Sequence, residues 1–400
     1  MRSPKTATFV FLATLLLLVI PSTTLADSGT YRATVQAVIS LTPFCTPGPS
    51  NSNCAGARWL NTMNGSAQPV RGVTVELRLD STGALIGTGV TDSSGTVSIP
   101  WSTPTVGPAT MSWNLRRADG RFHVKTKSGA DIVYWNPTPT LSNGATTNNG
   151  TLIWGNGAHV NVYFATERAW TDAFSSSSLL WDRFTGVTVK VGDYSNSSYT
   201  GGKTVQISDL HTGSFDIIVH ELGHIASDLA SGGFSSCSDY GWGGMPGHSL
   251  RSPEWQCAGF EEGIATGIGS RTLYWQTAVQ PMMFGENLEA PASAPCSITN
   301  SNRWELRSAT FWRDFYDSVV DGADSSLTSY AAVFDVLDAF GGGHDNHDKN
   351  EPYNTALLIG LDDKDGRSAE DFRWVAVNQI GLPSVWLDAI YAQSCSPVGD

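Results

Sequence analysis

The residues best suited to chemistry lie in the segment His220-Glu221-Leu222-Gly223-His224. On an α-helix, residues four apart lie one turn apart on the same face, so His220 and His224 would present two imidazoles to one metal ion. Two neutral imidazoles at that spacing suit a tetrahedral Zn²⁺. Glu221 cannot easily become a third ligand from the same turn, and its natural task is that of a general base acting on water.

The flanking residues predict the helix that this segment needs. Ser214 is a suitable N-cap, and Asp216 in the first turn complements the helix dipole. An apolar stripe follows at the 3.6-residue period, and its centre lies almost opposite the two histidines. The stripe consists of Phe215, Ile218, Val219, Leu222, Ile225, Ala226 and Leu229. We therefore expect one helix face in the core while the other directs both imidazoles into a cleft.

A second helix with a carboxylate is predicted downstream, beginning near residues 252–254. On this helix Glu262 shares a face with Trp255 and Ala265. A carboxylate on such an apolar face needs a cation to offset the cost of its burial. A cation beside Glu262 would offset that cost, whereas its neighbour Glu261 is expected to be solvated.

The five-residue segment resembles the active-site motif of the zincin metallopeptidases. Their gluzincin branch takes its third ligand from a Glu on a later helix, often in a Glu-Gly-x-Ala context, which Glu262-Gly263-Ile264-Ala265 matches. The metzincin branch would need Gly at position 227 and His or Asp at position 230. This sequence has Ser227 and Ala230, so the resemblance is to gluzincins.

The resemblance implies a set of roles for named residues. His220, His224 and Glu262 would bind one catalytic Zn²⁺, and Glu221 would be the catalytic base. In zincins the strand before the active-site helix is an edge strand that pairs with extended substrate, and residues 204–210 occupy that place.

Other side chains are open alternatives. Asp228, one turn after His224, could bind the metal or orient that imidazole. Asp239 lacks the surroundings of an aspzincin ligand, and His248 is expected in a loop. Gluzincins also use a Tyr or His to stabilise the oxyanion. The downstream candidates are Tyr316, Tyr330, Tyr353, His344 and His347.

The first part of the chain alternates apolar and polar residues from residue 31 to about 134, which predicts a β-sandwich covering residues 27–135. Val73, Val75 and Leu77 are one example. Residues 72–77 and 89–99 resemble the transthyretin-like or carboxypeptidase-regulatory-like sandwich modules of secreted proteins. Residues 136–157, rich in Pro, Thr, Asn, Ser and Gly, are predicted to be a linker.

The second part, residues 158–400, is predicted to be a zincin-like α+β domain. A strand at residues 160–164 would run into a helix beginning at Thr166. Two further strands are predicted at 187–191 and 204–210, followed by several helices, one of them at 311–320. Strands followed by helices are typical of an α+β order. The predicted fold class is therefore multidomain, an all-β sandwich followed by an α+β domain.

Charge and the N-terminal segment limit the partners and the compartment. The formal net charge is −13, which disfavours nucleic acid and anionic membranes as partners. Arg2 and Lys5 precede an apolar run, and Ala26 ends a suitable cleavage site, so residues 1–26 are predicted to be a signal peptide. The product is expected to be secreted, with no membrane anchor after cleavage.

The chain has six cysteines, an even number that predicts disulfide bonds in an oxidising compartment. Sequence alone does not fix the pairing. Pairing of sequence neighbours would join Cys45 with Cys54 and Cys237 with Cys257, which leaves Cys296 for Cys395.

These features predict a secreted zinc metallopeptidase that hydrolyses peptide bonds of a protein or peptide substrate. A catalytically inactive zincin-like binding or adhesion protein is the alternative, although the intact Glu221 argues against it. A metal-dependent hydrolase of other substrates also stays open. The acidic segments 341–348 and 362–366 could hold a structural Ca²⁺, but neither has the ligand order of an EF-hand loop. The sequence leaves the oligomeric state open.

Overall fold

The computed structural model describes residues 26–41, 64–155, 157–231, 256–274, 282–284, 286–288, 305–316, 330–341, 376–378, 380–385 and 387–388. The predicted signal peptide up to residue 25, the side chains of the cysteines and the acidic residues 342–350 and 362–366 lie outside this description.

The described residues before the first helix form strands. They are β1 (Asp27–Ser40), β2 (Asn64–Pro69), β3 (Val73–Leu79), β4 (Leu85–Val90), β5 (Thr96–Thr103), β6 (Ala109–Arg117), β7 (Phe122–Thr126), β8 (Val133–Pro137) and β9 (Thr146–Trp154). Helices and shorter strands follow. They are α1 (Ala158–Asp172), α2 (Ser178–Arg183), β10 (Val187–Gly192), β11 (Ser198–Tyr199), β12 (Thr204–Ser208), α3 (Phe215–Ser231), α4 (Gln256–Leu273), β13 (Met282–Met283), β14 (Glu286–Asn287), α5 (Glu305–Tyr316) and α6 (Tyr330–Gly341).

The chain is thus a mixed structure with a β-rich N-terminal region, and this coarse part of the predicted fold class is confirmed. The predicted alternation is present in β3, where Val73, Val75, Leu77 and Leu79 are buried and the residues between them are more exposed. This period places one sheet face in the core and the other toward solvent.

Most of these strands form two large sheets, and β13 and β14 form a third, two-stranded one. In the first, β1 pairs antiparallel with β2 and β5 along one edge and parallel with β9 along the other. The second has the order β11-β12-β10-β7-β6-β3-β4, with β8 also paired to β6. Within it, β7, β10 and β12 run parallel to one another. Because β7 and β10 are neighbours, the two predicted domains share a sheet, and their buried residues form one core.

The prediction of a linker at residues 136–157 is wrong for about half of that range, which belongs to strands. Residues 146–154 form β9, which pairs with β1 from Thr30↔Thr146 to Ala37↔Trp154. Every residue of β9 is exposed or only partly buried. A strand with a largely solvated surface tolerates Thr, Asn and Gly, so its composition is that of a loop.

The prediction of a strand at residues 160–164 is also wrong. These residues belong to α1, in which every residue from Val160 to Trp170 is buried. A helix buried on all sides shows no polar face, so the alternation of Val160, Val162 and Phe164 carried no information about its period. Tertiary burial here outweighs the low helix propensity of β-branched residues.

The helices lie against the parallel part of the second sheet. α1 contacts β7, β10 and α3, and α3 contacts β11 and β12. α4 packs between α3 and α5. Within the described ranges, no helix has both the length and the hydropathy needed to cross a membrane.

Candidate metal centre

The helix that carries the histidines begins at Phe215, directly after the predicted N-cap Ser214. The Ser214 carbonyl accepts the first helical hydrogen bond, from the Ile218 N–H at 3.2 Å. The predicted apolar stripe is buried, apart from Leu229, which is partly exposed. The opposite face is covered as well, since the side chains of His220 and His224 are only 8% and 12% exposed. Both imidazoles therefore lie in a deep site rather than on an open surface.

The cover over the histidines is α4, and glycine allows it to come close. A Cβ at Gly223 would lie 2.3 Å from the carbonyl oxygen of Ala265, and a Cβ at Gly269 would lie 2.8 Å from that of Val219. No side chain can occupy such space, so glycine on each helix lets the two backbones touch. This contact brings Glu262, on α4, to the imidazoles on α3. The predicted start of this helix, residues 252–254, lies outside the described part of the chain.

Three donor atoms converge where the helices cross. Glu262 Oε2 lies 3.0 Å from His220 Nε2 and 3.2 Å from His224 Nε2, and the two Nε2 atoms are 3.2 Å apart. The structure thus brings together the three residues predicted as ligands. Within the residues that the structure describes, they are the one group of three His, Cys, Asp or Glu side chains that could hold a metal ion.

Thr266 fixes the orientation of one imidazole. Its Oγ1 lies 2.9 Å from His220 Nδ1, so the other ring nitrogen of His220 faces Glu262. A partner on the second ring nitrogen of this kind selects the tautomer of a metal-binding histidine and fixes its ring plane. Thr266 was not among the predicted site residues, although its position one helical turn after Glu262 was a usable signal.

The pKa values of the carboxylates where α3 crosses α4 are shifted by their burial and by the neighbouring imidazoles. Burial alone would raise the pKa of Glu262, but the two imidazoles outweigh it and hold that pKa well below its usual range. Burial raises the pKa of Glu221, while His220, His224 and the main-chain N–H of Tyr199 oppose the rise. Glu221 is only 7% exposed, so it is a desolvated carboxylate beside the convergent donors.

The strand beside the site differs from the expected one. β12 is not the edge of the sheet, because β11 pairs antiparallel with it through Ser198↔Gln206 and Tyr199↔Val205. β11 is the last strand in the order, and Tyr199 on it stacks against His224 with ring centroids 6.2 Å apart and planes 10° apart. The prediction that residues 204–210 form the free edge is therefore wrong.

Phe284 borders the site on the side of His220. Its ring meets the imidazole edge-on, with centroids 5.5 Å apart. The residue has a positive φ of 49°, and its N–H donates to Asp216 Oδ2 at 3.2 Å. A non-glycine residue in this conformation costs on the order of 1 kcal/mol and persists only where its surroundings fix it. Sequence reasoning did not find Phe284.

The remaining candidates lie elsewhere. Asp228 is not in the convergent group, and its Oδ2 accepts a hydrogen bond from the Tyr199 hydroxyl. The hydroxyls of Tyr316 and Tyr330 donate to the Gly267 and Ile268 carbonyls of α4, so both tyrosines pack the helices together. Positions 239, 248, 344, 347 and 353 lie outside the described residues.

No protein-family model and no curated protein matches this chain. Among solved structures, a minor pilin of Streptococcus agalactiae is 15% identical over 33% of this chain and 45% of its own, with a TM-score of 0.17. A 9R-lipoxygenase from Cyanothece is 14% identical over 32% of this chain and 16% of its own, with a TM-score of 0.14. The chain thus spans less than half the length of either structure, and both TM-scores are far below the level at which two chains share a fold.

Proposed function

We propose that this protein is a secreted zinc metallopeptidase of the gluzincin type, with a zincin-like α+β region after the β-rich one. The observation that carries the proposal is the convergence of His220 Nε2, His224 Nε2 and Glu262 Oε2, with the buried carboxylate of Glu221 beside them. The segment at residues 1–26, which has the pattern of a signal peptide, supports secretion.

The donor set supports zinc. Ligand atoms around a tetrahedral zinc lie about 3.3 Å from one another, and the three donor atoms here are 3.0 to 3.2 Å apart. Two imidazole nitrogens and one carboxylate oxygen leave the fourth position for water or substrate, as catalytic zinc sites do. Calcium would need six or more oxygen ligands.

The chain's own residues divide the chemistry among them. His220, His224 and Glu262 would hold zinc, and Thr266 holds the His220 ring in the orientation that this needs. When bound, zinc supplies a Lewis acid that polarises the scissile carbonyl and lowers the pKa of water toward 7. Glu221 accepts the proton of the attacking water and passes it to the leaving amine. Burial raises the pKa of Glu221 and so makes it a better proton acceptor.

The substitution Glu221→Gln tests the proposal, because it removes the base and leaves the three zinc ligands in place. We expect one zinc per chain in both proteins, and peptide cleavage at least about 100-fold slower in the variant. The measurement is digestion of a mixed peptide library by wild type, variant and chelator-treated wild type, with zinc added back to the last.

Each result has a distinct meaning. Near-normal cleavage by Glu221→Gln would make the assigned base wrong. Zinc binding without cleavage of any peptide by wild type would favour the inactive zincin-like binding protein. Absence of bound transition metal, in protein never exposed to chelator, would contradict the zinc site.

A further inference from the structure

Tyr199 contacts the candidate centre in three ways, and no sequence pattern around this residue predicts these contacts. Its ring stacks on His224, its main-chain N–H donates to Glu221, and its hydroxyl donates to Asp228. One residue on β11 therefore touches a metal ligand, the proposed base and a carboxylate one turn further along α3.

The hydroxyl contact is the anchor of this arrangement. Tyr199 Oη lies 2.5 Å from Asp228 Oδ2, a short hydrogen bond to an acidic side chain. Partial burial, together with the contact with Asp228, raises the pKa of Tyr199 far above its usual value.

The Tyr199 hydroxyl ties β11 to α3, whereas the hydrogen bonds of the flanking Ser197 and Thr200 join this segment to β12 and to residues 208–211. The strand has two residues, and its partner strand β12 lies on one side only. A strand this short contributes little pairing energy of its own. The main-chain N–H of Tyr199 stabilises the charged form of the Glu221 carboxylate on α3. The distance between β11 and α3 thus sets the position of the base.

We propose that Tyr199 is a positioning residue, whose hydroxyl on Asp228 holds β11 against α3 so that its N–H orients Glu221 and its ring fixes the plane of His224. This inference rests on the proposed peptidase function for its effect on rate. Its structural part, the dependence of β11 on the Tyr199–Asp228 bond, stands without that function.

The test uses Tyr199→Phe and Asp228→Ala in the full chain, singly and together. Tyr199→Phe keeps the ring and the main chain and removes only the hydroxyl. We expect kcat to fall about tenfold with KM unchanged within about twofold, since a base displaced by a fraction of an ångström loses rate rather than binding. The double variant should be no slower than the worse single variant, because both changes break one bond.

Tyr163→Phe is the matched control. Tyr163 lies on α1, outside the candidate centre, and its hydroxyl donates to the Arg71 carbonyl at 2.8 Å. Both tyrosine variants lose one hydroxyl hydrogen bond, so both should unfold at a lower temperature. Only Tyr199→Phe should change kcat, and a purely structural role for Tyr199 would make the two variants alike.

A second readout needs no activity. Amide hydrogen exchange, followed by mass spectrometry, should be at least about tenfold faster at residues 198–200 in Tyr199→Phe and Asp228→Ala, with β10 unchanged. Unchanged exchange in both variants would overturn the proposal, as would equal kcat in wild type and Tyr199→Phe. If wild type cleaves no peptide, the proposed function fails by itself, and exchange at residues 198–200 still decides the role of the Tyr199–Asp228 bond.

Discussion

The ionisable side chains buried on α1 find their opposite charges within the protein. Glu167 and Arg168 are only 4% and 3% exposed. Arg117 Nη1 lies 3.6 Å from Glu167 Oε1, and Arg168 Nη1 lies 3.7 Å from Asp172 Oδ2. Each carboxylate on this helix therefore faces a guanidinium, which carries a fixed positive charge at any ordinary pH.

The carboxylate buried where α3 crosses α4 has neighbours of another kind. Glu262 contacts the imidazoles of His220 and His224, which are uncharged at neutral pH in their usual state. Burial opposes protonation of His224, but the Glu262 carboxylate outweighs it and raises the pKa of His224 to about 9. A proton thus supplies the positive charge when no other cation does, and metal binding would displace it.

The difference separates a structural ion pair from a cation site. A buried carboxylate that faces guanidinium groups is already compensated, whereas one that faces imidazole nitrogens at 3.0 to 3.2 Å still needs a positive charge, which a proton or a metal ion can supply. The burial of charged side chains, taken alone, does not distinguish α1 from the crossing of α3 and α4. The kind of partner, and the convergence of lone pairs, distinguishes them.

The largest expected effect comes from removing the carboxylate at the crossing. Glu262→Ala takes away a ligand and the negative charge that offsets the metal, so we expect the zinc dissociation constant to rise more than about 100-fold, beyond the loss typical of a supporting residue. Peptide cleavage should fall with it. Competition with a chromogenic zinc chelator measures the constant directly.

Glu261→Ala is the control for that change. Glu261 precedes Glu262 on α4, is partly exposed and is not in the convergent group. Its zinc dissociation constant should stay within about threefold of wild type. A ranking in which Glu261→Ala or Asp228→Ala is the worst variant would move the third ligand away from Glu262 and remove the contrast with α1.

Sequence alone was sufficient where the signal is local. His220 and His224 lie one turn apart on a helix whose apolar stripe can be read from the sequence. Glu262 was found through the Glu-Gly-x-Ala resemblance, and its place on an apolar helix face supported the choice. The strands of the N-terminal region follow from alternation, as β3 shows. In each case the period of the element and the environment of the residue agree.

The rest depends on contacts between distant parts of the chain. Thr266 and Tyr199 acquire their roles only when α4 and β11 reach α3. The one local signal is the position of Thr266, one helical turn after Glu262, and no pattern around Tyr199 indicates its role. α1 was misread because a helix buried all round has no polar face, and β9 because a solvated strand has the composition of a loop. Both errors have the same cause, because the burial of a segment depends on the whole fold and cannot be read from the sequence of that segment.

An intermediate effect is expected from Thr266→Val, which keeps the side-chain shape and removes the oxygen beside His220 Nδ1. Loss of such a support typically weakens metal binding about 10 to 100-fold. Thr166→Val on α1 is the matched control, since its Oγ1 donates to the Val162 carbonyl at 2.8 Å in an equally buried place. Equal zinc affinity in the two variants would show that Thr266 is a packing residue only.

The smallest effect concerns Asp172, the carboxylate of α1 whose compensation is least complete. Burial outweighs the attraction of Arg168 and raises the pKa of Asp172 to about 6, from an ordinary value of 3.8. The folded protein therefore holds this proton more tightly than the unfolded chain does. Wild type should lose stability through this group as pH rises from about 4 to about 6, and the loss should be complete above that range.

Asp172→Asn cannot ionise, so the free energy of unfolding of the variant minus that of wild type should be larger at pH 7 than at pH 4, which means that the variant gains relative stability as pH rises. We expect a change on the order of 1 kcal/mol, less than the full shift would give because Asp172 remains partly exposed. Denaturant titrations at both pH values, with chelator present so that metal occupancy is the same, give this number. Asp182→Asn, at an exposed position on α2, should stay within about 0.5 kcal/mol of wild type at both. A difference for Asp172→Asn that is equal at pH 4 and pH 7 would mean that Arg168 compensates this carboxylate fully, which would make the contrast between α1 and the metal centre sharper still.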